Sequence, residues 1–385
     1  MTAAAAIRQL HLYTALILGA VFSLFGLAGS WLAFYPHLDG VLLDFATDTR
    51  WRAERVSWNA TYGAAQTVTG PTNGMNGIMM PFGDHGPVIV FNQTRAEPTP
   101  LDYNMVYVDP GNARVLSARE MLASDQSLTR NLTGIAYAIH SGLIVGPAGH
   151  VVVAVLGLFL LFVIITGLVL WWPRGKWRRN AFLLLSSVGS RAFIGDLHRI
   201  FGLYASLFLG LLVVTGIYYA LPDVVTKAVS AVLPVTHRAQ HSMSMHASDH
   251  STHSADLDRA VATARAAFPE RELQMLMAMP NGFVQVNLAP RDGTSRVGAT
   301  EVSVGPDGAL LAVRDPSRET VADSVLRWLM PLHTGAAFDT LGRAIVCILG
   351  FMPLAFFVTG IIIWLRRTRA QRQRVFMRQH PIATH

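Results

Sequence analysis

The chain has 385 residues, of which 51% are hydrophobic and only 14% are charged, and its mean hydropathy is +0.36. Soluble domains carry about 25% charged residues because their surfaces must be solvated. The composition therefore excludes an ordinary soluble enzyme and a disordered chain. The single cysteine, Cys347, excludes a disulfide framework, a cysteine-ligated metal site and covalent haem attachment through a C-x-x-C-H motif.

Four segments are long enough and apolar enough to cross a membrane. Each has at least 22 residues without a charged side chain, and about 20 suffice for a helix that spans the hydrocarbon. The first segment is too long for the apolar region of a signal peptide. We predict transmembrane helices at Leu12–Tyr35, Val151–Trp172, Ile200–Leu221 and Ala344–Leu365.

The basic residues indicate the orientation of the chain, because cytoplasmic segments of membrane proteins are enriched in Lys and Arg. Arg8 precedes the first span, and two further segments carry basic residues without an acidic one among them. These residues are Arg174, Lys176, Arg178, Arg179 and Arg191 after the second span, and Arg366, Arg367, Arg369, Arg372, Arg374 and Arg378 after the fourth. Both termini are thus predicted to be cytoplasmic. The net charge of +7 reflects topology and does not indicate nucleic-acid binding.

In this orientation the segments 36–150 and 222–343 are exported, and both have the patterns of small α/β modules. The runs at Val88–Phe91 and Met105–Val108 in the first module are strand-like. The second module has helical spacing over Asp256–Phe268, followed by short alternating runs that predict strands at Gln274–Met279, Phe283–Leu288 and Thr300–Val304.

The predicted fold class is an α+β membrane protein with four transmembrane helices, arranged as an internal two-fold repeat, and two exported α/β modules. The segments are 1–38 for the first helix, 39–139 for the first module, 140–174 for a histidine motif and the second helix, 175–195 for a cytoplasmic loop, 196–222 for the third helix, 223–332 for a linker and the second module, 333–367 for a second histidine motif and the fourth helix, and 368–385 for a cytoplasmic tail.

An internal repeat is visible when His140 is aligned with His333. The same offset aligns eleven identical residues in two segments of about 35 residues, among them a Thr-Gly pair, a Trp and an Arg in each copy. A weaker match aligns Leu10-His11 with Leu197-His198 and Gly29 with Gly216. Both halves have the same topology, so we expect a pseudo-two-fold axis along the membrane normal.

Such an axis brings equivalent histidines together in two pairs. His11 and His198 would form an inner pair, and His140 and His333 an outer pair, with roughly 30 Å of helix between the levels. Two imidazoles from facing helices are the usual protein ligands of a six-coordinate b-type haem. A single interfacial histidine more often has a structural role, whereas four in repeat-related pairs favour ligands.

Other histidines and one arginine are secondary candidates. His150 lies at the start of the second span, where the other repeat has Arg343; either residue is a candidate for pairing with haem propionates, and His150 also for an alternative axial ligand. A linker combines Met243 and Met245 with His237, His241, His246, His250 and His253. Imidazoles and thioethers bind copper or iron, but the spacing here is not that of a preformed site.

The pattern of His-(Ser/Thr)-Gly, Gly, Thr-Gly, Trp and Arg at 140–174 and 333–367 resembles the PepSY-associated transmembrane family. Leu-His at 10–11 and Leu-His-Arg at 197–199 fit the same family. The resemblance covers nearly the whole chain and implies that the exported modules are PepSY domains. Within the family, the histidine pattern and the four spans are similar to bacterial ferric-siderophore reductases of the ferrioxamine type.

This resemblance implies two non-covalent b-type haems, with His11 and His198 as inner ligands and His140 and His333 as outer ligands. It also implies one-electron reduction of a periplasmic ferric hydroxamate and release of Fe(II). The expected partners are the ferric siderophore, membrane lipid and an electron donor that is a cytoplasmic reductase or a quinol. Two alternatives remain: a non-enzymatic permease or accessory subunit for iron uptake, and a periplasmic metal-binding or regulatory protein.

Overall fold

The structure is a computed structural model that describes residues 2–42, 56–70, 76–81, 86–94, 102–120, 131–172, 187–188, 190, 192–235, 255–279, 282–290 and 299–379. The helices are α1 (Ala3–Ala33), α2 (Tyr35–Leu42), α3 (Trp58–Thr69), α4 (Leu132–Ser141), α5 (Gly149–Trp171), α6 (Phe193–Ala220), α7 (Pro222–Ser230), α8 (Leu257–Ala267), α9 (Val321–Thr334) and α10 (Asp339–Gln379). The strands are β1 (Asn76–Met79), β2 (Val88–Thr94), β3 (Asp102–Val108), β4 (Val115–Glu120), β5 (Arg271–Ala278), β6 (Val284–Pro290), β7 (Thr300–Val304) and β8 (Leu310–Arg314).

Four of the helices in the described part of the chain are long and apolar enough to cross a membrane, namely α1, α5, α6 and α10. They cover nearly all of the four spans predicted from the sequence, which are confirmed as helices, although α1, α5 and α6 end at Ala33, Trp171 and Ala220, one or two residues before the predicted ends. Helices α1, α6 and α10 begin earlier or end later than the uncharged runs, because a helix continues through polar residues beyond the hydrocarbon. His11 and His198 consequently lie within helices rather than in front of them.

The four long helices form a closed ring. Helix α1 packs most extensively against α10 and also contacts α5, and α6 packs against α5 and α10. Helices α1 and α6 therefore face each other across one diagonal of the bundle, and α5 and α10 across the other. Residues on the inward faces of diagonal helices are the ones that can share a ligand in the centre.

The closest approach in this ring is between α1 and α10. A side chain at Gly26 would overlap the backbone of Gly350, and one at Gly350 would overlap Ser30. The Ser30 hydroxyl donates to the carbonyl of Cys347 at 2.8 Å. Small residues permit this contact, as they do in many membrane helix pairs.

The strands form one antiparallel sheet in the order β4-β3-β2-β1-β5-β6-β7-β8. Each run predicted to be a strand lies in a strand of the structure, with ends that differ by a residue or a few. The first four strands precede α4 and the last four precede α9, and the two sets join where β1 pairs with β5. At this junction Ile78 lies opposite Leu276, and both side chains are fully buried.

Helices α3 and α8 cover one face of this sheet and share a single hydrophobic core with both sets of strands. They also exchange N-terminal caps. The Asp258 carboxylate of α8 accepts hydrogen bonds from the backbone N–H groups of Trp58 and Asn59 at 2.7 and 3.1 Å. The Asn59 side-chain oxygen of α3 accepts one from Leu257 N–H at 2.9 Å. Each helix thus supplies acceptors for N–H groups that have no intrahelical partner in the other.

A buried polar network connects the sheet to the membrane helices. Asp39 of α2 is fully buried and forms an ion pair with Arg119 of β4. The Asp39 carboxylate also accepts from the hydroxyls of Tyr107 and Thr133, each at 2.5 Å. Thr133 in turn accepts from the Trp31 indole N–H of α1 at 2.8 Å. Helices α1, α2 and α4 and two strands are therefore held together by one buried charge pair.

Helices α4 and α9 end in the same way, immediately before a transmembrane helix. Gly142 and Gly335 follow them in the left-handed conformation, with φ of +80° and +77°. A side chain at either position would also collide with the backbone at Gly149 or Gly342. This requirement explains the glycines in both His-(Ser/Thr)-Gly motifs.

Candidate functional site

The two outer histidines face each other. His140 and His333, each one residue before the end of its helix, have ring centroids 5.9 Å apart and planes tilted by 44°. His140 extends to α1, where its Nδ1 lies 3.0 Å from the carbonyl oxygen of Phe25. His333 extends to α6, where its Nδ1 lies 3.1 Å from the carbonyl oxygen of Leu212.

The two inner histidines are on the diagonal helices themselves. His11 of α1 contacts α5, with Nδ1 at 3.1 Å from both the carbonyl oxygen of Val163 and the hydroxyl of Thr166. His198 of α6 contacts α10, with Nδ1 at 2.7 Å from the hydroxyl of Thr359. His11 and His198 lie on the two helices that face each other across one diagonal of the bundle.

The partners of the histidines correspond between the halves of the chain. Thr166 and Thr359, which contact the inner histidines, are 193 positions apart, as His140 and His333 are. The carbonyls of Phe25 and Leu212, which contact the outer histidines, are 187 positions apart, as His11 and His198 are.

Hydrogen bonding indicates which ring nitrogen carries the proton. A carbonyl oxygen can only accept, so Nδ1 of His11, His140 and His333 is the donor. The hydroxyl of Thr359 donates to the carbonyl of Ala355 at 2.7 Å and therefore accepts from His198. Within the described residues, no hydrogen bond is formed at Nε2 of these four rings. Each Nε2 lone pair is therefore available to a metal.

The electrostatics of the outer pair favour neutral imidazoles. Burial lowers the pKa of His140 below its ordinary value. Burial, together with the adjacent His140, lowers the pKa of His333 to about 4. Both rings are therefore uncharged at neutral pH, and a neutral imidazole is the form that ligates a metal.

The donor set suits a metal that brings its own equatorial ligands. In the described ranges, no group of three or more His, Cys, Asp or Glu side chains is arranged to hold a metal ion. Two facing imidazoles would instead be able to hold a haem iron, which has its own ring nitrogens as further ligands. The ring centroids of His140 and His333 are 5.9 Å apart, so both rings could contribute to one such site.

The inner faces also leave space for a flat macrocycle. Positions i and i+4 of a helix share a face, and the residue four positions after His198 is Gly202. A side chain added at Gly202 would meet no atom within 4 Å. The equivalent position after His11 is Ala15, which is also small. The residues present therefore fit a haem between His11 and His198.

The two levels are closer than the roughly 30 Å predicted from span length. The outer rings contact α1 between Phe25 and Gly29 and α6 between Leu212 and Gly216, inside the helices rather than at their ends. About 16 residues of helix separate these contacts from the inner histidines, which corresponds to about 24 Å.

The residues that the sequence predicts as secondary haem or metal contacts differ in their positions in the structure. Arg343 is buried, whereas His150, at the equivalent position of the other half, is exposed. The structure does not bring His150 to the outer histidine pair, which is formed by His140 and His333. The linker candidates His237, His241, His246, His250 and His253 lie outside the described residues.

Several residues of the site were not singled out from the sequence. The repeat shows Thr166 and Thr359 only as identical positions, and it predicts no role for Thr215. The repeat does contain a signal: in three of the four spans a Thr-Gly step lies at the level of a histidine from another helix, at 166–167, 215–216 and 359–360. The Asp39–Arg119 pair has no local signal, because its partners are 80 residues apart in the chain.

The four apolar helices, joined to an eight-stranded antiparallel sheet, define a multi-pass membrane protein. The sequence matches the PepSY-associated TM region over residues 8–367. The chain therefore belongs to the PepSY-associated transmembrane family. A comparison with curated proteins yields no match.

Proposed function

We propose that this protein carries electrons across a bacterial inner membrane through two b-type haems. The observation that carries the proposal is the facing of His140 and His333 at 5.9 Å, with Nδ1 of each ring occupied and Nε2 free. His11 and His198 provide a second pair with the same hydrogen bonding about 24 Å away along the helices. The correspondence of their partners supports an internal two-fold repeat.

The haems would supply one-electron redox chemistry at each level. The chain's own contribution is to hold each imidazole in the Nδ1-protonated form, with its Nε2 lone pair directed into the bundle. The long helices keep water away from both levels. Helices α4 and α9 bring the outer pair close to the sheet, which in the proposed orientation lies in the periplasm and consists of two PepSY modules.

The substrate proposed for the periplasmic side is a ferric hydroxamate siderophore of the ferrioxamine kind. One electron converts Fe(III) to Fe(II), and the hard oxygen ligands of a hydroxamate hold Fe(II) less strongly. Release then needs no acid–base group on the protein. The electron enters at the cytoplasmic side from a membrane quinol or a reductase protein. Family membership is compatible with electron transfer, and the siderophore is our extension from the sequence resemblance.

The first test is a dithionite-reduced minus oxidised visible spectrum of the detergent-purified protein, with a haem count per chain. We expect low-spin b-type bands, two haems per chain and reduction of a ferric hydroxamate followed with an Fe(II) chelator. A colourless protein from cells supplied with haem would refute the proposal and favour the permease or the metal-binding regulator. Coloured protein that leaves ferric hydroxamates oxidised would retain electron transfer and reject this substrate.

Replacing the histidines singly tests the pairing. We expect His11→Ala and His198→Ala to remove one haem, and His140→Ala and His333→Ala to remove the other, because each loss leaves a five-coordinate site. The control is His37→Ala, since His37 is exposed at the end of the bundle. The pairing is wrong if His11→Ala and His140→Ala remove the same haem while His198→Ala and His333→Ala have no effect.

A further inference from the structure

We propose that the Thr-Gly steps of the transmembrane helices are docking sites that position the histidines, and that Thr359 is the positioning residue on which His198 depends. At each step the threonine accepts from Nδ1–H of an imidazole from another helix, and the glycine leaves room for the edge of that ring. The consequence for haem binding rests on the proposed function, whereas the docking itself does not.

The threonine hydroxyls are oriented to accept. Each donates its own proton to a backbone carbonyl one turn earlier, at 2.8 Å for Thr166 and Thr215 and at 2.7 Å for Thr359. An oxygen lone pair is then directed at the histidine, at 3.1, 2.9 and 2.7 Å respectively. These hydroxyls therefore stabilise the tautomer that keeps Nε2 free.

The glycines lie beside the Cε1 corner of the ring, next to Nδ1. A Cβ placed on Gly29 would lie 2.9 Å from Cε1 of His140, and one on Gly216 would lie 3.2 Å from Cε1 of His333. The corresponding distance is 3.2 Å from Gly167 to His11 but 3.9 Å from Gly360 to His198. The first position has no room for a methyl group, whereas the last is at ordinary van der Waals distance.

Thr359 differs from the other two threonines because it has no substitute. His11 also has the carbonyl of Val163, and His333 also has that of Leu212. The Nδ1 of His198 has a single hydrogen bond in the described part of the chain, to Thr359. In the first span Ala28 precedes Gly29, so His140 depends on the Phe25 carbonyl alone. Equal substitutions at the three threonines should consequently have unequal effects.

The experiment compares Thr359→Val with Thr359→Ser, Thr166→Val and Thr215→Val in the purified full-length protein. Valine has the shape of threonine without the hydroxyl. We expect Thr359→Val to weaken retention of the inner haem about 10- to 100-fold and to raise the midpoint potential of that haem, because the axial imidazole becomes less basic. Thr359→Ser should restore both properties. We expect smaller effects of Thr166→Val on the inner haem and of Thr215→Val on the outer haem, because His11 and His333 each keep a carbonyl acceptor.

The glycine series is the second arm. We expect Gly29→Ala to shift the spectrum and potential of the outer haem more than Gly360→Ala shifts those of the inner haem, because an added Cβ would lie 2.9 Å from the ring at Gly29 and 3.9 Å from the ring at Gly360. Equal effects of these two variants, or equal effects of the three valine variants, would overturn the proposal. Thermal melting of each variant verifies that the bundle has folded.

A readout that needs no haem separates this proposal from the proposed function. In haem-free protein labelled with ¹⁵N-histidine, we expect the His198 resonances of the Nδ1-protonated tautomer, and a mixture of tautomers in Thr359→Val. A colourless wild-type protein with this spectrum would refute the function and support the docking site. Mixed tautomers at His198 in the haem-free wild type would overturn the docking site, whatever the haem content.

Discussion

The carboxylate of Asp39 is a buried charge on which several elements of the fold depend. It is fully buried and forms an ion pair with the guanidinium of Arg119, which is itself only 4% exposed. Removing one partner of a buried pair leaves an uncompensated charge in a poorly polarisable environment. The second half of the chain has a related arrangement, in which Arg314 of β8 and Arg327 of α9 both pair with Glu319.

We predict that Asp39→Ala lowers the free energy of unfolding of the sheet by about 3 to 5 kcal/mol. The buried Arg119 cation would lose its counter-charge, and Tyr107 and Thr133 would lose an acceptor. Melting of the purified protein measures the change. The control is Arg259→Ala, because the Arg259–Asp256 pair is exposed and worth at most about 1 kcal/mol. Equal losses in the two variants would contradict this view of Asp39.

At the scale of the elements, the exchanged caps connect the two helices that cover the sheet. Asp258 lies in the first turn of α8 but accepts from N–H groups of α3, and Asn59 does the reverse. Each helix also has its own cap, since Ser57 accepts from Ala60 N–H at 3.1 Å and Asp256 accepts from Arg259 N–H at 3.1 Å. The start of each helix is therefore further stabilised when the two helices are together.

We predict that Asp258→Ala costs about 1 to 2 kcal/mol and loosens α3 as well as α8, because capping side chains contribute about this much. Hydrogen exchange with mass spectrometry should show faster exchange in peptides covering residues 56–70 as well as 255–268. Ser57→Ala is the matched control, with its effect confined to the first of these segments. A change in 255–268 alone after Asp258→Ala would show that the exchange of caps does not operate.

At the scale of the whole molecule, the two halves are joined at two places. They share the central β1–β5 junction of the sheet and the ring of helices in the membrane. Each outer histidine comes from the helix that follows its own half of the sheet and contacts the first transmembrane helix of the same half. Joining the sheets therefore fixes the distance between α4 and α9, and with it the separation of His140 and His333.

A cysteine pair tests both the junction and the orientation. Asn76 lies opposite Ala278, and opposed residues of antiparallel strands have Cα atoms about 4.5 to 5.5 Å apart, within reach of a disulfide. In a Cys347→Ala background, we expect Asn76→Cys with Ala278→Cys to cross-link in cells, because the periplasm is oxidising. Mass spectrometry of linked peptides under non-reducing conditions detects the bond.

The control combines Asn76→Cys with Arg271→Cys, at the far end of β5, about 23 Å away from Ala278 along the strand. This pair should remain reduced. Cross-linking only after purification and oxidation would place the sheet on the reducing side of the membrane, contrary to the topology predicted from the arginines. Failure of Asn76→Cys with Ala278→Cys to link under any condition would mean that the two sets of strands do not form one sheet.

Helices and strands whose formation depends on neighbouring residues were predictable from the sequence. An uncharged run of 22 residues must be a membrane helix, since backbone polar groups in lipid need internal hydrogen bonds. The strand at Thr300 follows from its alternating pattern, and the strand at Val88 from a short apolar run. Family membership and the grouping of the histidines by repeat were also accessible in this way, because they depend on comparing positions within one chain.

The contacts that complete the site depend on distant parts of the chain. His198 and Thr359 are 161 residues apart, and neither has a neighbour in sequence that reveals the bond. Span length overestimated the distance between the histidine levels, because α4 and α9 direct their imidazoles inside the bundle. The sequence likewise did not predict that the two modules join into one sheet, because the residue pattern of a strand is the same whether its edge is paired or unpaired. Short-range energetics specify each element, whereas packing between elements specifies which side chains meet.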